Sequence, residues 1–301
     1  MKTFLDTRTI ISILFASLLG FLYACTGGNA QDQIPSAEHF DLEWAKNSTW
    51  DQGQAEVAKY QATRTIYGKP RNFEYVFILV KETFNEQYNA KTDSYDRNDL
   101  FEVMKINKFC RIPTDNYPYH FMTSIFYERN QPATVYKLTN SSQEWCGNTS
   151  KHFLAKGKKY EFGYNSYWDG QGVGEMTIQG GIMFEDQLSH SLRALKFSDG
   201  LSFQQPVAES QISSKATEPK IYNATFTVEP AENVQLSTTY DLNQKNDVWK
   251  VSVQLDSDKV NEYWFADEYP NILLKQRTWD NRNYELKEHY MDDYWVIKDN
   301  S

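Results

Sequence analysis

The chain has 301 residues, with 31 Lys and Arg against 40 Asp and Glu, so its formal net charge is −9 at pH 7. This excess of negative charge repels nucleic acids and anionic lipid headgroups, which argues against both as bulk partners of the folded surface. The length is enough for one large domain or two small ones with an ample core. Aromatic residues are abundant, with 20 Tyr, 18 Phe and 8 Trp.

The first 25 residues are typical of a bacterial export signal that ends in a lipidation site. Lys2 and Arg8 give the N-terminal region its positive charge. Residues 10–23 form an apolar run that is shorter than a typical membrane-spanning helix. The run ends in Leu-Tyr-Ala-Cys, the pattern that lipoprotein signal peptidase cleaves. We therefore predict cleavage after Ala24 and a membrane anchor through lipid on Cys25. The alternative is an ordinary cleaved signal followed by an incidental cysteine.

The signal also predicts the organisation of the chain and its location. Residues 1–24 form the signal peptide, residues 25–38 a flexible tether, and residues 39–301 a β-rich domain with a possible joint at 198–220. Thr26 stands where an Asp commonly retains lipoproteins at the inner membrane. We therefore expect a lipid-anchored protein of the cell envelope at the outer membrane.

Two further cysteines, Cys110 and Cys146, lie within the predicted domain. An exported protein folds in an oxidising compartment, so a disulfide between them is the first expectation. Residues 119–128 and 133–139 look like the strands of a hairpin, and extending it outwards places Cys146 within a few positions of Cys110. No histidine spacing supports the alternative, a catalytic cysteine.

Strand patterns dominate the rest of the chain. Residues 55–66 and 72–84 flank a turn, and residues 222–228, 249–255 and 284–290 alternate apolar and polar side chains. Helix is predicted over 185–197, where Leu188, Leu192 and Leu195 share a face, and over 36–46. The predicted fold is therefore mainly β: a curved antiparallel sheet or half-open barrel with one or two short helices. This pattern is similar to the half-barrel of periplasmic lipoprotein carriers.

The motifs of common enzymes and metal sites are missing from the sequence. The five histidines show no metal-ligand spacing, and the glycine-rich residues 170–174 suit a hairpin turn better than a phosphate loop. No serine-nucleophile motif occurs in a convincing setting. We therefore predict no catalytic residue, no metal and no cofactor.

Aromatic clusters are the remaining candidates for a site. Tyr164, Tyr167, Trp168 and Trp264 belong to two such clusters. Aromatic side chains exposed on a concave sheet could bind a lipid, a sugar or an apolar segment of a partner. The alternative is that they fill the core of a β protein.

Three segments carry a family resemblance. The sequence Phe-Met-Thr-Ser-Ile-Phe at 121–126, Ser-Gln-Glu-Trp-Cys-Gly at 142–147 and residues 50–68 resemble a family of lipoproteins from Bacteroidetes-type bacteria that is commonly labelled "septum formation inhibitor Maf". The nucleotide pyrophosphatases that properly bear the name Maf are cytosolic α/β proteins with a Ser-x-Ser-Pro-Arg-Arg signature. The resemblance implies a lipoprotein that bears this label, whereas the missing signature, the export signal and the β pattern of this chain argue against a pyrophosphatase activity.

The leading functional hypothesis is a non-enzymatic envelope lipoprotein that binds an apolar ligand or an envelope partner. The first alternative is an envelope hydrolase whose site is assembled from scattered residues, around Glu144 and His120. A purely structural envelope role is the second.

Overall fold

A computed structural model describes residues 36–232, 234–240 and 247–296. The predicted signal peptide, Cys25 and most of the tether therefore lie outside the described residues. The described part contains sixteen strands and one α-helix. The strands are β1 (Ala55–Ile66), β2 (Lys69–Asn85), β3 (Ala90–Lys91), β4 (Leu100–Ile112), β5 (Tyr119–Glu128), β6 (Lys137–Glu144), β7 (Gly147–Lys156), β8 (Lys159–Ser166), β9 (Val173–Gln179), β10 (Met183–Phe184), β11 (Ser202–Ala208), β12 (Ile221–Pro230), β13 (Val248–Asp256), β14 (Lys259–Ala266), β15 (Leu273–Arg277) and β16 (Asn283–Asp292).

These strands form one sheet, which confirms the predicted mainly β fold. Fifteen strands lie in the order β10-β11-β12-β13-β14-β15-β16-β1-β2-β4-β5-β6-β7-β8-β9, and β3 pairs with the end of β2. The pairings are antiparallel except for the short parallel contact of β10 with β11. The sheet does not close, because β9 and β10 stand at opposite ends of this order.

The sheet is nevertheless rolled up. A single apolar cluster joins Phe162 and Ile178, from the β8–β9 end, to Phe184 and Ala208, from the β10–β11 end. Side chains from both ends of the strand order can share one cluster only if the sheet curves round so that its two edges approach. We call this curved sheet the roll.

Alternation along the strands directs apolar side chains into the roll. Tyr60 and Ala62 of β1 are buried, as are Tyr75 and Phe77 of β2. Val76, Ile78 and Val80 on the outer face of β2 are half-buried. The β2 strand is therefore central in the sheet, as its apolar run predicted, but it is fully covered on its inner side alone.

Helix α1 (Glu185–Ser191) runs into the interior and continues as a 3-10 turn over Leu192–Ala194. The leucine spacing over 185–197 correctly predicted this helix, although it ends earlier. Every residue of α1 is buried, the polar ones included. The helix begins after Phe184, whose backbone N–H donates to the Gln187 side chain at 2.8 Å.

The sequence failed to predict two local features. Residues 36–46 form two 3-10 turns, Ala37–His39 and Trp44–Lys46, instead of one helix, although Phe40 and Trp44 are buried. The segment 198–220, predicted to be an irregular connection or joint, contains β11, which pairs with β12 in the same sheet. Among the described residues no helix is long and apolar enough to span a membrane.

The disulfide predicted between Cys110 and Cys146 is absent, and both cysteines are free. Cys110 is buried on β4 and pairs in register with Phe121 of β5, which pairs with Ser142 of β6. Cys110 and the β6 strand are therefore two strand spacings apart, roughly 9–10 Å. Cys146 lies beyond the end of β6, in the exposed turn before β7. A disulfide needs Cα atoms about 4.4–6.8 Å apart. The predicted hairpin placed Cys110 and Cys146 on neighbouring strands, but β5 lies between β4, which carries Cys110, and β6.

Candidate ligand-binding cavity

The end of the roll where β1, β4, β6 and β8 finish contains a cavity of about 540 Å³. We call it the mouth cavity. Its walls come from the end of β1, the start of β5, the turn after β8 and the connection before β12. The lining residues are Arg64, Thr65, Ile66, Tyr67, Tyr119, Phe121, Trp168, Asp169, Gln171, Ser213, Ser214 and Lys215.

One wall of the mouth cavity is aromatic. Tyr119 and Phe121 are buried inward-facing residues of β5, and their rings stack with centroids 6.1 Å apart. The hydroxyl of Tyr119 contacts that of Tyr67, an exposed residue of the β1–β2 turn. Trp168, in the β8–β9 turn, is half-buried. A cavity of this size with an aromatic wall is typical of small-molecule sites.

Arg64 brings a positive charge to this wall. It follows Tyr60 and Ala62 at the inward positions of β1, so the strand places its guanidinium inside the mouth. The guanidinium lies 5.2 Å from the centroid of the Phe121 ring, and its Nη2 donates to the Ile212 carbonyl at 2.7 Å. Burial lowers the pKa of Arg64 from its usual value.

Another part of the lining is a short segment, Ser213 to Lys215, held in place by β7. The Lys151 ammonium donates to the Lys215 carbonyl at 2.8 Å, and the Thr149 hydroxyl donates to the Ser214 carbonyl at 2.9 Å. Both side chains are buried inward-facing residues of β7. Burial lowers the pKa of Lys151 to about 8. Backbone carbonyls of the segment therefore accept hydrogen bonds from the two polar side chains that β7 directs into the roll.

A cluster of polar and aromatic groups borders the rim next to Tyr119. The Cys146 thiol donates to the Tyr117 hydroxyl at 3.3 Å, and the Tyr117 ring stacks on Trp145, which is 78% exposed. Both carboxylate oxygens of Glu144 are buried there without a hydrogen bond. Burial, Tyr67 and Glu144 together raise the pKa of Tyr119.

Of the four aromatic residues predicted for a site, Trp168 alone lines the mouth cavity. Tyr164 packs on Phe162, with ring centroids 5.4 Å apart, and its hydroxyl covers Gly174 on the paired strand. The ring of Tyr167 covers Gly147. Trp264 lies on the outer face of β14 between Lys250 and Arg277. Tyr164 and Tyr167 thus have packing roles, and Trp264 is remote from the cavity.

The pair named for the hydrolase alternative is not brought together. Glu144 follows Asn140 and Ser142 at the inward positions of β6, whereas His120 lies between the inward residues Tyr119 and Phe121 and points outwards. The two side chains therefore lie on opposite faces of the sheet. No group of metal-ligating side chains occurs among residues 36–232, 234–240 and 247–296.

The sequence did not predict that Arg64, Phe121 and the segment 213–215 line the mouth cavity. One sequence feature could have pointed to Arg64. Arg64, Lys108 and Lys151 each interrupt the apolar alternation at an inward-facing position, and a cation there requires an explanation. The segment 213–215 has no signal of its own, because contacts with β7 alone place it at the mouth.

No family model and no curated protein matches this chain. Among solved structures, it is similar to a β-barrel-like protein of domain of unknown function DUF1849 from Brucella abortus, with 11% identity, a TM-score of 0.46, and coverage of 79% of this chain and 97% of that one. A DUF1089 family protein from Pseudomonas aeruginosa shares 13% identity over 56% of this chain and 82% of its own, with a TM-score of 0.33. The rolled antiparallel sheet follows from the strand pairings of this chain itself.

Proposed function

We propose that this protein is a non-enzymatic binding protein that holds an apolar ligand in the mouth cavity. The observation that carries the proposal is the aromatic wall of Tyr119, Phe121 and Trp168 in a cavity open to solvent. Helix α1 and its buried partners fill the middle of the roll. A ligand would therefore bind at the mouth, with its apolar part against this wall.

The N-terminal sequence supports placing this activity in the cell envelope. The lipobox ending at Cys25 would anchor the protein in a membrane, in agreement with the lipoprotein family that residues 121–126 and 142–147 resemble. An anchored protein with an apolar site at one end is suited to hold a lipid-like molecule near a membrane. Exposed Tyr67 and Trp145 at the rim would be available to an envelope partner.

Titration of the purified full-length protein with the uncharged fluorophore N-phenyl-1-naphthylamine tests the binding proposal, because its emission rises in apolar surroundings. We expect saturable binding that Trp168→Ala weakens about 10-fold, since a lost aromatic contact is worth roughly 1–2 kcal/mol. Trp264→Ala is the matched control and should leave the affinity unchanged. Absence of saturable binding, or equal losses in the two variants, would contradict the proposal.

One contact favours the hydrolase alternative. The Ser213 hydroxyl lies 3.4 Å from the Lys151 ammonium in the cavity wall. In such a reaction the Ser213 oxygen would attack an ester carbonyl while its proton passed to neutral Lys151. The alcohol would leave with that proton, and water would then release the acid by the same route. However, Lys151 donates to the Lys215 carbonyl at the shorter distance of 2.8 Å, an interaction also suited to a structural lysine.

A fluorophosphonate probe separates the two functions, because it forms a covalent bond with activated serines. The binding proposal predicts no adduct on Ser213 by peptide mass spectrometry. Labelling of Ser213 that disappears in Lys151→Met would establish the hydrolase instead.

A further inference from the structure

We propose that the ligand of the mouth cavity is an acyl-chain carboxylate, with its acidic head at Arg64 and Lys215 and its chain against Phe121 and Trp168. This inference rests on the proposed function and adds the chemical class of the ligand. The argument comes from two cations at the cavity, Arg64 and Lys215, that form no ion pair with any described carboxylate.

Arg64 differs from the other inward-facing arginines of the roll. Arg193 and Arg282 are buried, and each forms an ion pair with a buried glutamate, Glu56 and Glu185 respectively. Arg64 is half-buried, and no carboxylate in the described part of the chain lies within ion-pair distance of it. Its hydrogen bond to the Ile212 carbonyl uses one of five N–H groups. Donors therefore remain for a ligand.

Asp280 acts on Arg64 only from beyond ion-pair distance and is itself paired with Arg282, so no carboxylate among the described residues binds the guanidinium directly. The Arg64 guanidinium lies over the Phe121 ring, where water is partly excluded. A cation in such surroundings is stabilised by an anion that binds its remaining donors. Because the chain as a whole carries a net negative charge, a cation without an ion pair at this place points more strongly to an anionic ligand.

Lys215 adds a second positive charge to the lining of the cavity. Its side chain is exposed, and its backbone carbonyl accepts from the Lys151 ammonium, so the Ser213–Lys215 segment carries positive charge as well. Asp169 is the one acidic residue among those that line the mouth cavity, and it is exposed in the β8–β9 turn. Lys151 behind this wall and Glu144 at the rim add one charge of each sign. The groups around the cavity therefore keep an excess of one positive charge, which matches a monoanionic head group.

The apolar wall defines the rest of the ligand. Phe121 lies directly beneath the Arg64 guanidinium, and the aromatic surface continues through Tyr119, with which it stacks. A small hydrophilic anion would leave this surface exposed to water. A carboxylate on an alkyl chain uses both the charge and the apolar wall.

Competition between decanoate, 1-decanol and bound N-phenyl-1-naphthylamine, below micellar concentrations, tests the inference on the full-length protein. The two competitors share the chain length and differ in the head. We expect decanoate to displace the fluorophore at a concentration about 10-fold lower than 1-decanol. Arg64→Gln should reduce this preference to about 2-fold, and exposed Lys215→Gln should reduce it partly without endangering the fold.

Arg277→Gln, which removes an arginine from the outer face of the sheet, is the control and should preserve the preference. The inference is overturned if wild-type protein does not distinguish the two competitors, or if the preference survives Arg64→Gln combined with Lys215→Gln. Failure of the fluorophore itself to bind would instead contradict the proposed function, so the two failures are distinguishable.

Discussion

Arg193 and Glu56 form a two-bonded ion pair inside the roll, with both N–O distances at 2.7 Å. Glu56 lies near the start of β1, and Arg193 lies in the 3-10 turn after α1, so the pair fixes the end of the helical segment to the sheet. Arg193 also donates to the Pro270 carbonyl at 2.9 Å, and His289 lies 3.3 Å from Glu56. Burial opposes ionisation of Glu56, but Arg193 and His289 outweigh it and hold its pKa well below the usual range.

Removing one partner of this pair should destabilise the protein strongly. We expect Glu56→Ala or Arg193→Ala to lower the free energy of unfolding by about 3–5 kcal/mol, because each leaves a buried charge uncompensated. Urea unfolding followed by circular dichroism measures this loss. Lys287→Ala is the control, since its pair with Glu74 at 2.9 Å is exposed and should contribute less than about 1 kcal/mol.

The double variant Glu56→Leu/Arg193→Met refines this test. It removes both charges and keeps the volume, so it should be more stable than either single variant. Single variants that unfold at the urea concentration of wild type would contradict the role given to the pair.

Lys108 should make stability depend on pH above neutrality. Its ammonium donates to the Asp186 carbonyl and the Ser189 hydroxyl, both at 2.5 Å, and burial lowers its pKa to about 7. The unfolded chain keeps this proton up to pH values near 10.4, while the folded protein loses it above 7. The unfolded state then binds more protons, so stability should rise with pH in this window.

Urea unfolding of wild type and Lys108→Met at pH 6.5 and 9 checks this dependence. The wild-type gain between the two values should exceed that of the variant by about 1–3 kcal/mol, because each pH unit contributes about 1.4 kcal/mol at most. Buried Lys151 titrates in the same direction in both proteins and cancels in the comparison. Equal gains in the two proteins would show that Lys108 keeps its proton in the folded state.

The two free cysteines should differ in the reactivity of their thiols. In a Cys25→Ser background, Ellman's reagent should modify Cys146 in the folded protein, because its thiol lies in an exposed turn. Cys110 should react only after denaturation, since burial raises its pKa to about 12 and blocks access. The further variant Cys146→Ser should abolish the reaction of the folded protein. A denatured, unreduced sample that contains no free thiol would instead establish the disulfide.

The strands that could be predicted from the sequence are those with one wet and one buried face. Residues 55–66 and 119–128 coincide with β1 and β5, because period-two alternation and flanking turns define such strands. The β14 strand was missed, since its consecutive residues Tyr263, Trp264 and Phe265 hide the alternation. The β11 strand was missed because Gln204, Gln205 and Pro206 interrupt its apolar pattern.

The site could be predicted only in part, for a topological reason. Trp168 stood out as an aromatic residue in a glycine-rich turn, and the structure places it at the mouth cavity. Its partners there come from segments more than 40 residues away in the chain, Arg64 before it and Ser213 to Lys215 after it. Strand order alone brings these segments together, and a single sequence does not reveal strand order.

The central claim is that an apolar ligand occupies the mouth cavity, and a crystal structure of the protein soaked with 10-bromodecanoate tests it most directly. The bromine atom gives an anomalous signal that locates the end of the chain, while density for the carboxylate locates the head. The account predicts a carboxylate within hydrogen-bond distance of Arg64 and a bromine peak against the aromatic wall of Phe121 and Trp168. An empty mouth cavity in crystals whose bromine peaks lie only elsewhere on the protein would contradict it.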